Sequence, residues 1–294
     1  MKKCVKSKSL KEIEPNTKYM GCTFYLDSAD GEDFVGTEFD NCSFRGSFSN
    51  WGRDEYGLWM GFTYKDMHQI MRWIRPGTFM MGSPETEKGR YENETLHQVT
   101  ISRGFWLAET VCTQKLWEAV IGNNPSKFKG KKFPVETVSW DDCKAFTKKL
   151  NEQMKEWQCC LPTEAQWEYA CRAGTTTAFS FGDSITKDEV NYDYSYNESV
   201  ETKSLPCNNW GLYEMHGNVY EWCSDWYRRE YDISITVDSV GPNVGSYRVV
   251  RGGSWYYSSG GVRSAYRYWF KPGYCNHRTG FRFCLKSQSY PKNK

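Results

Sequence analysis

The chain reads as an α+β protein with much irregular backbone, and three observations predict that class. Strand-like stretches punctuated by turn signals come first, capped helical stretches occupy only the middle, and helical periodicity vanishes after Gly174. Beyond Gly174 the chain is short strands and long loops rich in Gly, Asn, Trp and Tyr, so aromatic packing or a metal must hold it. At 294 residues the chain suffices for one large domain or two small ones, with a sizeable core.

The first portion reads as an N-terminal extension (1–66) ahead of a main domain (67–294). Phe34, Phe39 and Phe44 recur every fifth residue, with Cys22-Thr23-Phe24 as an outlying copy. A five-residue period with an apolar centre resembles pentapeptide repeats, which coil into a small β-helix. The copies are too few for a free-standing solenoid, so a short aromatic meander packed on the main domain is the preferred expectation. The main domain opens with a strand at Met71-Arg72-Trp73-Ile74 that runs into the turn signal Pro76-Gly77. A charged loop from Pro84 to Thr95 comes next, then His97-Gln98-Val99-Thr100-Ile101, which alternates as a half-buried strand should.

The helices have legible starts. Thr113 caps Gln114 to Ile121, and Gly122 supplies the stop. Ser139-Trp140-Asp141-Asp142 is a capping-box pattern, and Cys143, Phe146, Leu150 and Met154 then share one helical face. Thr163 and Gln166 repeat the box ahead of Trp167, Ala170 and Cys171.

Composition excludes several function classes. A formal charge of +2 with 25% charged residues, and no dense Lys/Arg run, argues against a nucleic-acid partner or an anionic membrane. No apolar run reaches transmembrane length, and no signal-peptide h-region comes after Met1-Lys2-Lys3-Cys4. The twelve cysteines contain no Cys-x-x-Cys pair, which argues against zinc-finger or thioredoxin-like chemistry. Cys159 and Cys160 are adjacent and poorly placed to bridge each other. Most cysteines read as reduced, while export would permit an oxidised framework.

The segment 251–285 has the composition of a binding surface. It opens with Arg251-Gly252-Gly253-Ser254-Trp255 and closes with Gly280-Phe281-Arg282-Phe283. Between them, tyrosines offer rigid contact area, and Ser, Gly and Asn offer adaptable polar contacts.

Six motifs in order carry a family resemblance. They are Gly77-Thr78-Phe79-Met80-Met81-Gly82-Ser83, Phe133-Pro134-Val135-Glu136, Leu161-Pro162-Thr163-Glu164-Ala165-Gln166-Trp167-Glu168, Asn209-Trp210-Gly211-Leu212 through Gly217-Asn218-Val219-Tyr220-Glu221-Trp222, Arg251-Gly252-Gly253-Ser254-Trp255, and Gly280-Phe281-Arg282. Their order and spacing resemble the formylglycine-generating-enzyme (sulfatase-modifying factor) domain. The resemblance implies a C-type-lectin-like fold. The enzymes of that family oxidise a substrate cysteine with copper(I) held by two thiolates five residues apart. Counting back from Arg267, the matching positions here are Ser259 and Ser264. A hydroxyl is a poor ligand for soft copper(I), so copper is not expected and a copper-dependent oxidase is the disfavoured alternative. The family also binds calcium, through positions that match Glu214, Gly217, Val219 and Glu221, so structural Ca2+ is an expectation. A Gly-Asn turn with Glu221 in a salt bridge is the competing reading. A second calcium loop, matching Asn191-Tyr192, lacks the expected Asp.

A closer resemblance is to the variable proteins of diversity-generating retroelements. These display randomised residues on the lectin-type fold, where adenine mutagenesis scatters AAC (Asn) codons. The matching places hold Tyr256, Tyr257, Ser258, Ser259, Gly260, Gly261, Tyr268, Phe270, Gly273, Tyr274, Cys275 and His277, all within two adenine changes of AAC. Trp269 and Lys271 are not reachable. The implied function is non-catalytic ligand binding, with Tyr268 and Tyr274 as first anchors and Tyr266 as a structural residue. The partner expected is an unknown protein or other surface molecule. The expected place is the cell surface, as an exported lipoprotein whose leader has been removed, or the cytoplasm if no leader exists. Cys275 and His277 at i, i+2 fall on opposite faces of an extended chain, which disfavours a thiol–base pair.

Overall fold

The computed structural model describes residues 3–10, 13–25, 37–45, 48–153 and 157–287. Phe34 and Met154, named above, lie outside the described residues.

The N-terminal segment winds as a coil. Its strands are β1 (Lys3–Lys6), β2 (Ser9–Leu10), β3 (Thr17–Met20), β4 (Thr23–Tyr25), β5 (Glu38–Asp40) and β6 (Ser43–Arg45). They form two three-stranded sheets, β1-β3-β5 and β2-β4-β6, and every pairing is parallel. A meander pairs sequential strands antiparallel, so the preferred expectation gives way. Lys18 stands opposite Glu38 and Thr23 opposite Ser43 (38 − 18 = 20 and 43 − 23 = 20), a multiple of the five-residue period. Tyr19 and Phe24 fill the coil's interior edge-to-face at 4.9 Å, and Phe39 stacks on Tyr19 at 5.5 Å.

The boundary drawn after Asp66 also moves. β7 (Phe48–Asp54), β8 (Gly57–Tyr64) and β9 (Met67–Ile74) form one antiparallel ladder, and β8 pairs with β9 from Trp59↔Arg72 to Tyr64↔Met67. The composition changes at Asp66, but the hydrogen bonding does not. Phe39 meets Trp51 of β7 at 4.7 Å, which joins the coil to this sheet.

β10 (Gly77–Met81) and β11 (His97–Ile101) pair antiparallel around the charged loop. β12 (Phe105–Ala108) precedes α1 (Gln114–Ile121), α2 (Trp140–Gln153), β13 (Trp157–Cys160) and α3 (Glu164–Arg172). The caps form as the sequence predicts. Thr113 accepts from the Leu116 N–H, and Gly122 takes φ 98°. Ser139 and Asp142 exchange side-chain and backbone bonds, as do Thr163 and Gln166. Cys143, Phe146 and Leu150 are fully buried, with Phe146 packed against Phe281 and Phe283.

Later strands are β14 (Tyr220–Trp226), β15 (Arg248–Arg251), β16 (Tyr268–Phe270), β17 (Thr279–Gly280) and β18 (Cys284–Ser287). A six-stranded sheet runs β13-β18-β12-β9-β8-β7, and a four-stranded sheet runs β16-β15-β14-β17. Segment 251–285 thus supplies two strands to the smaller sheet and one to the larger. Among the described residues no helix is long and apolar enough to cross a membrane.

Candidate functional site

Four arginines of the segment point inward, and each is held by carboxylates far away in sequence. Arg251 is fully buried and donates to Glu164 at 3.0 Å and to Glu168 at 2.5 Å. Arg267 forks onto both oxygens of Glu164 at 2.6 and 2.9 Å. Arg263 donates to Glu87 at 2.5 Å and to both oxygens of Glu94 at 2.8 and 2.7 Å. Arg282 grips Glu221 through two bonds of 2.6 and 2.7 Å. Burial works to raise the Glu164 carboxyl, but Arg267 and Arg251 outweigh it and hold it below the ordinary carboxylate value. Buried pairs of this kind do not stabilise a fold by their net energy, but removing one partner strands the other charge. They fix where each loop must sit. The charged loop therefore has a role that its sequence hides: Glu87 and Glu94 anchor the turn that carries Ser259 and Gly260.

Glycine conformations complete the frame. Gly253 takes φ +71°, and a Cβ there would lie 2.2 Å from the Gly261 carbonyl oxygen. The Arg-Gly-Gly-Ser-Trp turn is thus closed against the 3-10 turn at Ser259–Val262.

The side chains between the arginines face outward. Tyr256 and Tyr274 are 40% and 42% exposed, and Ser258, Ser259, Gly273 and Cys275 are exposed with them. Tyr257, Gly260, Tyr268, Phe270 and His277 are half-buried. Gly261 is the exception. It is buried under the Tyr257 ring, so it is a packing position and not a contact position. Tyr266 is buried, as a structural residue should be.

These residues join into one aromatic strip. Tyr256 meets Tyr257 at 5.5 Å, Tyr257 and Tyr268 both flank the buried Tyr220, and Tyr268 continues to Phe270 at 5.2 Å and on to Tyr274 at 4.6 Å. The strip extends beyond the segment. Tyr194 lies 4.7 Å from Tyr256, and the Arg278 guanidinium sits 4.4 Å over the Tyr256 ring. Trp269 stacks on Tyr227 at 4.3 Å. A cavity of about 450 Å³ opens beside Tyr268, walled by Tyr91, Glu92, Tyr227, Arg229 and Trp269. A second cavity, of about 630 Å³, reaches Ser259 and Gly260. Of all these walls, the sequence reading marks only Tyr268, Ser259 and Gly260 as ligand contacts. The aromatic run Tyr192, Tyr194 and Tyr196 was the available signal for Tyr192 in the larger cavity and for Tyr194 beside Tyr256.

The catalytic and metal positions fare differently. Ser259 is exposed, whereas Ser264 is fully buried beside Cys171 at 3.8 Å, so the two hydroxyls do not face one open site. His277 packs on Trp255 and Phe128 instead of presenting a base to Cys275. Both oxygens of Glu221 are taken by Arg282, and Trp167 Nε1 donates to one of them at 2.7 Å. Glu221 therefore does not fit the role of a calcium ligand, and the salt-bridge reading describes it. Glu214 accepts from the Lys203 N–H at 2.7 Å, its other carboxyl oxygen is buried without a hydrogen-bond partner, and burial pushes its carboxyl up to about 8. Gly217 donates its N–H to the Gly252 carbonyl, and Val219 is buried. Among the described residues no group of three or more His, Cys, Asp or Glu side chains is placed to hold a metal ion.

Short helices, a six-stranded, a four-stranded and a two-stranded sheet, and long loops tied by buried ion pairs define a lectin-like domain of the formylglycine-generating-enzyme type. A family model for the Sulfatase-modifying factor enzyme 1-like domain matches residues 61–287, and the chain belongs to that family. Among solved structures, Treponema denticola variable protein 1 superposes with a TM-score of 0.70 at 28% identity, over 76% of this chain and 97% of that one. The formylglycine-generating enzyme of Streptomyces coelicolor is 37% identical over 138 residues, 42% of each chain. The serine/threonine-protein kinase pkn1 of Chlamydia caviae is 38% identical over 159 residues, or 53% of this chain and 24% of that protein. The chain thus spans about a quarter of the length of the chlamydial relatives it matches.

Proposed function

We propose that this protein is a non-catalytic binding scaffold of the retroelement variable-protein type. The ligand meets the strip formed by Tyr256, Tyr257, Tyr268, Phe270 and Tyr274, with Ser258, Ser259, Gly273, Cys275 and His277 as its adaptable polar and small neighbours. One observation carries this reading. Within a single segment four of the five arginines are locked inside, and eleven of the twelve positions matched to diversified codons reach solvent in whole or in part. Such a division lets side chains change while the backbone stays fixed. The likeness to Treponema denticola variable protein 1 supports the same reading. A place at the cell surface belongs to this proposal.

The competing activity is copper-dependent cysteine oxidation, as in the formylglycine-generating enzymes. It would require two converging thiolates at positions that hold Ser259 and Ser264. The purified protein, loaded with copper(I) and given a cysteine-containing sulfatase peptide, is expected to leave the peptide mass unchanged. Conversion of the cysteine to an aldehyde would overturn the reading. On an array of purified surface proteins and glycans, any partner found is expected to lose affinity at least tenfold to Tyr268→Ala or Tyr274→Ala. Binding unaffected by both would remove the strip from the site.

A further inference from the structure

Two thiols meet at the edge of the six-stranded sheet. β13 is its outer strand and pairs antiparallel with β18, in a register that sets Cys160 opposite Cys284. Their sulfurs lie 3.3 Å apart. Strand alternation sends the adjacent pair, Cys159 and Leu285, to the opposite face, where both are buried in the core. Cys159 therefore cannot compete for either partner. Cys284 is fully buried and Cys160 half-buried, so a reagent reaches the pair through Cys160. On the same face, two positions along each strand, stand Gln158 and Lys286. They line a polar cavity of about 350 Å³ together with Arg103, Gln166 and Asp238. Two cations against one carboxylate in that wall suit a small anionic molecule.

We propose that Cys160 and Cys284 form a thiol–disulfide exchange site for a low-molecular-weight, carboxylate-bearing disulfide of the glutathione type. Cys160 is the attacking thiol and Cys284 the resolving one. The Cys160 thiolate attacks one sulfur of the small disulfide. A mixed disulfide forms at Cys160, and the first small thiolate leaves and takes up the proton that Cys160 released. The Cys284 thiolate then attacks the Cys160 sulfur, closes the Cys160–Cys284 bond and expels the second small thiolate, which takes up the Cys284 proton. The protein dithiol loses two electrons, and the small disulfide is reduced to two thiols.

The electrostatics give the same order of attack. The hydrogen bond with Cys284 holds the Cys160 thiol below its ordinary value, and against the opposing effect of burial Lys286 and Lys144 pull it the same way. Cys284 is pushed up by the same bond and by burial. The bond would also matter to the fold. Cys160 leads into the cap of α3, which carries Glu164 and Glu168, and Cys284 comes directly after the Gly280-Phe281-Arg282-Phe283 segment. Closing it ties the helix that holds the buried arginines to the last strand.

Incubating the intact protein with oxidised glutathione, then acid quenching, alkylation and peptide mapping, tests this directly. The expected product is a Cys160–Cys284 cross-linked peptide, with Tm raised by roughly 4 °C or more. In Cys284→Ser the glutathione adduct should persist on Cys160. In Cys160→Ser the buried Cys284 should stay unmodified while exposed Cys275 reacts. The proposal fails if the wild type keeps both thiols free, retains a stable adduct on Cys160, or forms its bond between other cysteines. Should either serine variant not fold, the wild-type map alone still decides.

Discussion

Within the stretch from Arg251 to Arg282, two sets of residues share one backbone and live under opposite rules. Arg251, Arg263, Arg267 and Arg282 are buried and paired with Glu164, Glu168, Glu94 and Glu221. Tyr256, Ser258, Ser259, Gly273, Tyr274 and Cys275 lie between them and are exposed. The first set determines where the loops run, and the second determines only what the surface looks like. Irregular chain can therefore be rigid without regular hydrogen bonding, provided that charges too costly to leave unpaired pin it at intervals.

The largest effect should come from the buried set. Arg251→Ala leaves Glu164 and Glu168 short of a partner in the interior, and should cost about 3–5 kcal/mol in urea unfolding. A loss under about 1 kcal/mol would mean that water reaches those carboxylates. Next, Gly253→Ala places a Cβ against the Gly261 carbonyl at a positive φ, and should cost about 2–3 kcal/mol by the same measurement. That loss would show that the frame depends on backbone as well as on charge.

A pH effect separates burial from pairing. Asp225 accepts from the Glu164 N–H at 3.0 Å, yet burial, and then the Glu164 charge, push its carboxyl up to about 7. Its folded value is raised, so its stabilising contribution is complete below its ordinary value near 3.8 and is lost as pH rises through about 7. Glu214, raised to about 8, declines over the same range in both proteins, so from about pH 5 to pH 8 the Tm of Asp225→Asn should fall less than that of the wild type, by a few degrees. Parallel curves would refute the raised value. The smallest effect belongs to the outer set: Tyr274→Ala should change stability by no more than about 0.5 kcal/mol.

The sequence made the helices legible because their signals are local. Thr113, Ser139 and Thr163 each sit within three residues of the groups they cap. The outward face was legible in the same way, from composition. The pins were not, because Arg263 meets Glu94 across 169 positions and Arg251 meets Glu164 across 87, and no local period records such pairs. Glu164 and Glu168 also mislead, since charged residues on a short helix read as a solvated face, whereas α3 is buried nearly all round. The coil was hidden differently. Parallel partners twenty positions apart leave only a faint five-residue echo in one chain. Gly261 was misplaced because a glycine's composition says nothing of which side its neighbours cover.

The central claim is that surface identity and backbone position are decoupled in this segment. Two libraries test it most directly, one randomising Tyr256, Ser258, Ser259, Gly273, Tyr274 and Cys275 together, the other randomising Arg251, Arg263, Arg267 and Arg282. Protease resistance of displayed clones is the readout. Most clones of the first library should remain folded and nearly none of the second; equal survival in the two would contradict the account.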